Sequence, residues 1–195
     1  MLQCYERQFT PWACSVASIT ILLNTWFSLY GHKTQQTQQQ VLDISGQEWW
    51  TRAVTTARGV CLEELYDLVP IVYRAYGCLV TVSLVYMDRT QQNIKLFFDM
   101  LEMVLCDPDQ QILVNFDYNA LHGTSATQSG HISPILDIHR TSGMVCILDV
   151  DDETAPYWVH VERLIYSMTI QTNCRKHSWP TRGYLVIRTL GDFKV

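Results

Sequence analysis

Gln8-Phe9-Thr10-Pro11-Trp12-Ala13-Cys14-Ser15-Val16-Ala17-Ser18-Ile19-Thr20-Ile21-Leu22-Leu23-Asn24 is the stretch on which the reading of this chain turns. Pro11 fits a position just ahead of a helix or in its first turn, where a missing N–H leaves no hydrogen bond unmade. From Cys14 onward, Ala17, Ile21, Leu22 and Trp26 recur at helical spacing, and Gly31 offers a stop near Tyr30. A cysteine at such a helix start meets unpaired backbone N–H groups and the positive end of the helix dipole, which favour a thiolate. Taken alone, one cysteine opening an apolar helix is more often a packing residue than a nucleophile. The rest of the chain decides between the two.

A length of 195 residues fits a single domain, 1–195, large enough to bury a real core. Hydrophobic residues make up 48% and charged ones 17%, which favours a compact, well-filled globule over a disordered chain. A net charge of -5 and a pI near 5.6 argue against nucleic acid or an anionic membrane as partner. The one basic cluster, Arg175, Lys176 and His177, reads as a solvated loop. Seven cysteines, an odd number with no C-x-x-C pair, read as a reduced cytoplasmic protein with neither a disulfide framework nor a zinc ribbon. The opening M-L-Q-C-Y-E-R-Q has no apolar core of a secretory signal, and Ile19 to Leu23 is too short to span a bilayer.

The front of the chain reads as helical. Gln35 to Gln40 is a loop or opens a short helix; Gln47 to Arg58 and Cys61 to Val69 are further helices, the last broken or kinked at Pro70. Behind them come a strand at Cys78 to Tyr86, a helix at Thr90 to Leu105 and a strand at Gln111 to Tyr118. A polar loop, Asn119 to Gly130, leads to strands at His131 to His139 and Met144 to Val150, joined by a turn at Arg140 to Gly143. Val159 to Met168 reads as a helix and Gly183 to Ile187 as the last strand. The layout is α+β, with a helical front half and the Cys14 helix packed on a mostly antiparallel sheet.

That layout places a constellation. A cysteine nucleophile needs a histidine to exchange its proton, an acid or amide to orient the histidine, and donors for the oxyanion. His131 opens one strand of the predicted hairpin, and Asp149 ends the other, V-C-I-L-D-V. In an antiparallel hairpin the start of one strand lies beside the end of the next, so the two side chains come together. Gln8, six residues before Cys14, can lend its amide to the oxyanion alongside the Cys14 N–H. Asp149, Asp151 and Asp152 crowd one loop with no His or Cys at ligand spacing, so no metal site is expected. His32, His122, His139, His160 and His177 lack such a context and read as surface or structural.

These segments resemble the phytochelatin synthases, clan relatives of papain. The family's nucleophile segment, Q-x-x-P-x-x-C-x-x-A-S-x-x-x-x-L-N, is matched by Gln8, Pro11, Cys14, Ala17, Ser18, Leu23 and Asn24. Its G-H-F-S-P-I strand is matched by Gly130, His131, Ser133, Pro134 and Ile135. Its L-I-L-D-V and P-x-W-V segments are matched by Ile147 to Val150 and by Pro156, Trp158 and Val159, and its late R-G-F or R-G-Y by Arg182 to Tyr184. The chain departs at Ser15, where the family usually has Gly, at Trp12 and Ala13, and at Leu136 and Asp137, which replace paired glycines.

The resemblance implies a papain-like fold and a γ-glutamylcysteine transferase or hydrolase. Cys14 would attack the Cys–Gly amide of glutathione, His131 would carry the proton, Asp149 would hold the ring and Gln8 would polarise the carbonyl. Arg182 would bind a substrate carboxylate, with Gly130, Ser133 and Trp12 as further substrate contacts. It implies no tightly bound cofactor, heavy-metal ions such as cadmium or zinc entering as thiolate complexes of the substrate. The expected partner is a small thiol peptide, with no nucleic acid or membrane and with a homodimer allowed. A chain that stops at Val195 resembles the bacterial relatives that have the catalytic domain alone, in which hydrolysis can dominate. The alternatives are a papain-like peptidase, deamidase or acyltransferase with a different substrate, and a non-catalytic binding module that retains the fold.

Overall fold

The computed structural model describes residues 1–56, 58–88, 90–124, 130–171 and 182–190, and the statements below concern these. A 3₁₀ turn at Leu2–Cys4 precedes four helices: α1 (Cys14–Leu29), α2 (Gln38–Ser45), α3 (Glu48–Thr55) and α4 (Leu62–Ala75). Then come β1 (Val80–Tyr86), α5 (Gln91–Cys106), β2 (Gln110–Asp117), α6 (Tyr118–His122), β3 (Gly130–His139) and β4 (Met144–Ile147). The described part closes with β5 (Tyr157–His160), α7 (Val161–Met168) and β6 (Gly183–Thr189). The strands form one sheet in the order β1-β6-β2-β3-β4-β5, and every neighbouring pair is antiparallel. This is the expected α+β architecture, with the helices of the front half on the sheet.

Two hydrophobic clusters sandwich the sheet. On one face α1, α2 and α4 bury Ile19, Leu22, Trp26, Leu65 and Val72 with Leu113, Ile132 and Leu185 of the strands. On the other, α5 and α7 bury Phe97, Leu101, Leu164 and Ile165 with Val114, Phe116 and Ile135. The alternation of strand side chains between faces produces the two sets. β6 inserts between β1 and β2, and Gly183 makes the fit possible: a Cβ there would lie 1.9 Å from the Val85 carbonyl oxygen.

Local chemistry accounts for where the chain departs from expectation. The glutamine-rich run becomes α2 because Thr37 and Gln40 form a capping box, the Gln40 N–H donating to the Thr37 hydroxyl and the Thr37 N–H to the Gln40 side chain. Pro70 does not end α4, which runs on to Ala75. Leu68 and Val69 before it and Val72 and Tyr73 after it are buried in one core, which holds both halves of the helix in line. The loop expected from Asn119 begins instead as α6, nucleated by Asp117, whose carboxylate accepts from the Ala120 N–H at 2.9 Å; residues 125–129 lie outside the described part.

The helix expected from Val159 starts two residues later, at Val161. Tyr157 to His160 instead form the edge strand β5, with Val159 opposite Val145 and Tyr157 opposite Ile147. β4 stops at Ile147, before Asp149, although the Leu148 N–H still donates to the Pro134 carbonyl at 2.9 Å.

Cys4, Cys14, Cys78, Cys106 and Cys146 are free, but Cys61 is held in a disulfide, which corrects the expectation of a fully reduced chain. Spacing in the sequence does not reveal which cysteines the fold brings within bonding distance. Cys174 and the basic cluster at Arg175, Lys176 and His177 lie outside the described residues. Among the described residues no helix is long and apolar enough to cross a membrane.

Candidate active site

Cys14 is the first residue of α1 and is 6% exposed. The chain reaches it through a turn in which the Ala13 N–H donates to the Thr10 carbonyl at 3.0 Å. Ala13 occupies the N-cap and has no side-chain acceptor to offer, so the first-turn N–H groups are not capped by that residue. Behind Cys14, Ser15 is fully buried and accepts a hydrogen bond from Trp50 Nε1 at 3.1 Å. The serine that departs from the resembled family's glycine is thus matched by a tryptophan from α3.

One turn along α1, the Ser18 hydroxyl donates to the Ile132 carbonyl at 2.9 Å, fastening the helix to β3 beside His131. Asn24 completes the anchoring of α1, donating to the Gln36 carbonyl at 2.8 Å and accepting from the Gln36 N–H at 2.7 Å. Three polar residues of the opening motif, Ser15, Ser18 and Asn24, therefore fix the helix that carries Cys14.

His131 sits opposite Phe116 in the β2–β3 ladder, and its ring meets those of Phe116 and Tyr118 edge-on, at 5.4 and 5.5 Å between centroids. Its Nε2 lies 2.7 Å from Asp149 Oδ1. In the β3–β4 register Ile135 pairs with Ile147, so continuing it sets Asp149 opposite Ser133, one diagonal step from His131. The expected hairpin neighbourhood is present, with a bulge between Ile135 and Asp137.

Asp149 is fully buried and saturated with donors. Oδ1 accepts from His131 and from the Asp151 N–H at 3.0 Å, and Oδ2 accepts from the Tyr157 hydroxyl at 2.9 Å. The Tyr5 hydroxyl holds the Asp149 main-chain carbonyl, also at 2.9 Å. Burial pushes the carboxyl group up, but the His131 contact, the Asp151 N–H and the Tyr157 hydroxyl hold it below the usual carboxylate range.

Burial likewise opposes a charged His131, yet hydrogen bonds and charge from Asp149 and Cys14 outweigh it and push the imidazole up to about 10. With Nε2 taken by Asp149, Nδ1 is the nitrogen left for the thiol. His131 thus links a side chain from the helix start with one from the loop after the neighbouring strand, the arrangement that exchange of a proton between thiol and imidazole requires.

The other expected site residues fall in different places. The Gln8 N–H donates to the Val150 carbonyl at 2.7 Å and its Nε2 to Asp151 Oδ2 at 3.4 Å, which ties the segment before Cys14 to the loop after Asp149. Trp12 is 43% exposed, two residues ahead of Cys14. Ser133 is fully buried, and Gly130 lies on the exposed end of β3. Arg182 is 3% exposed, paired with Asp117 at 3.2 Å and donating to the carbonyls of Ile170 and Gln171 at 2.7 and 3.0 Å.

Among the described residues no group of three or more His, Cys, Asp or Glu side chains is placed to hold a metal ion. Sequence reasoning missed Tyr5, Phe116, Tyr118, Tyr157 and His122 as neighbours of the site. Of these only Tyr157 carried a signal, as the unassigned position of P-x-W-V.

The family profile described as phytochelatin synthase matches residues 1–184. A curated relative, glutathione gamma-glutamylcysteinyltransferase 3 of Lotus japonicus, is 24% identical over 192 residues, which cover 95% of this chain and 36% of that protein. The chain thus spans about a third of the relative's length. Among solved structures, the peptidase domain of Streptococcus ComA, a bi-functional ABC transporter involved in a quorum sensing pathway, superposes with a TM-score of 0.55. The match covers 96% of this chain and 97% of that domain at 11% identity, a likeness of fold.

Proposed function

The chain belongs to the phytochelatin synthase family, and from that premise we propose that it is a cysteine acyl-enzyme acting on glutathione-like γ-glutamyl thiol peptides. The observation that carries this reading is the contact of a fully buried Asp149 with His131 at 2.7 Å, together with the hydrogen bond and charge linking His131 to Cys14.

The Cys14 thiolate adds to the carbonyl of the Cys–Gly amide, and the C–N bond breaks as His131 gives its proton to the leaving glycine amine. A γ-Glu-Cys thioester on Cys14 remains. His131, again neutral, takes a proton from the incoming nucleophile, which is the amine of a second glutathione or water. The C–S bond then breaks and the thiolate returns. Asp149 keeps the ring oriented and supports its positive charge in both half-reactions.

The Cys14 N–H and the Gln8 amide stabilise the oxyanion, Gln8 exchanging its long contact to Asp151 for the substrate oxygen. Trp12 offers an exposed aromatic face next to Cys14. Arg182 supports the Gly130 edge, since a Cβ at Gly130 would touch its guanidinium at 3.8 Å; to meet a substrate carboxylate it would have to give up Asp117 and two carbonyls. No cofactor takes part, and metal ions enter as thiolate complexes of the substrate.

Incubation with glutathione, followed by analysis of products, tests the reading. Free glycine with γ-Glu-Cys or longer oligomers is expected. Absence of glycine release at every cadmium or zinc loading would overturn it.

A further inference from the structure

The Asp149 carboxylate is held from behind by an arrangement that reaches a second histidine. The Tyr157 hydroxyl has one proton and donates it to Asp149 Oδ2 at 2.9 Å, because a carboxylate can only accept. The Tyr157 hydroxyl oxygen also lies 3.2 Å from His122 Nε2. With its proton already committed, Tyr157 must accept there, so His122 carries its proton on Nε2. The two rings come from different elements, His122 from the last turn of α6 and Tyr157 from the edge strand β5. His122 is fixed by a tilted ring contact with Tyr118 at 4.2 Å and by an edge-on contact with Tyr157 at 5.2 Å. Tyr118 in turn lies edge-on to His131 at 5.5 Å, which closes a ring of contacts around the carboxylate.

We propose that Tyr157 and His122 are positioning residues that divide the charge of Asp149, setting how tightly the imidazolium of His131 is held. The proposal rests on the reading of Cys14, His131 and Asp149 as one catalytic unit. A donor on Oδ2 draws carboxylate charge away from Oδ1, where His131 is bound. His122 strengthens that donor by hydrogen-bonding to the hydroxyl oxygen. Without the hydroxyl, the Asp151 N–H is the other donor left on the carboxylate, more of its charge faces His131, and the imidazolium persists to higher pH.

Tyr118, which joins the rings of His122 and His131, faces Asp149, Asp151, Asp152 and Glu153. His122 faces Asp149, Asp151, Arg163 and His131, and Tyr157 faces Asp149, Asp151 and Tyr118. His131 faces Asp149 and Cys14. Burial lowers His122 from its ordinary value, which keeps it neutral across the range in which His131 loses its proton.

The test is the pH profile of Cys14 alkylation by iodoacetamide, read at that residue by peptide mass spectrometry between about pH 4 and about pH 11. It requires no knowledge of the substrate, so it stands even if glutathione is not cleaved. Burial pushes the buried thiols of Cys78 and Cys146 up, Cys78 to about 11, which keeps them from competing.

Tyr157→Phe should move the limb that reports loss of the His131 proton upward by roughly half a pH unit or more. His122→Phe keeps a ring against Tyr118 but loses the donor, and should give a smaller shift in the same direction. His122→Gln, which can still donate, should return the profile towards wild type. A limb that stays in place or moves down in both Phe variants would overturn the proposal. Equal profiles for His122→Phe and His122→Gln would overturn the part assigned to His122. If Tyr157→Phe does not fold, the His122 pair decides alone.

Discussion

His131 Nε2 and Asp149 Oδ1 lie 2.7 Å apart although the two residues belong to a strand and to the loop beyond its neighbour. The contact is set by the β3–β4 register and fixed by three further hydrogen bonds to Asp149, from the Asp151 N–H, the Tyr157 hydroxyl and the Tyr5 hydroxyl. Asp149→Asn conserves shape but puts an amide where His131 needs an acceptor with charge. The fold should persist by circular dichroism, while glycine release from glutathione falls on the order of a hundredfold to ten-thousandfold. Unchanged turnover would remove Asp149 from the mechanism.

Stability should depend on pH through the same pair. His131 is raised from 6.5 to about 10, so its contribution is full below 6.5 and is lost as pH rises through about 10. Asp149 is lowered from 3.8, so its contribution is present above 3.8 and is lost as pH falls through the depressed value. The melting temperature of the wild type should therefore decline between 6.5 and about 10, and that slope should flatten in His131→Gln. Parallel slopes for the two proteins would contradict the assignment.

Trp50 and Ser15 form a buried hydrogen bond directly behind Cys14. Trp50→Phe strands the Ser15 hydroxyl without a partner, at a cost of about 1–3 kcal/mol plus lost packing. Adding Ser15→Ala should cost less than the sum of the two single changes in urea unfolding, since both break one contact. Strict additivity would show that the two residues are not coupled.

Gly183 is required by close approach. Gly183→Ala would drive a methyl group to 1.9 Å from the Val85 oxygen and pry β6 from β1. A loss of roughly 3 kcal/mol or more, or failure to fold, is expected. A stability within about 0.5 kcal/mol of wild type would contradict the strand spacing.

Much of the fold was legible because its elements carry strong local periodicity. The apolar stripe of α1 and the β-branched runs of β1 and β2 read directly, and the contact of His131 with Asp149 follows from Gly130-His131 and the L-D-V ending placed on one hairpin. What did not read depends on contacts distant in sequence. Pro70 stays helical because both sides of it are anchored in the same core, and Tyr157 to His160 become a strand because β4 offers them an edge. Arg182 sits 3% exposed because Asp117, the cap of α6, needs a cation in a place the sequence does not indicate. His122, read as surface or structural, stands 3.2 Å from the hydroxyl that holds Asp149.

The most direct measurement is single-turnover mass spectrometry of the peptide containing Cys14 after rapid mixing with glutathione. An adduct on Cys14 with the mass of a γ-Glu-Cys acyl group is expected, formed together with free glycine and absent from Cys14→Ala. An unmodified Cys14 with no glycine released, or an adduct carried by another cysteine, would contradict it.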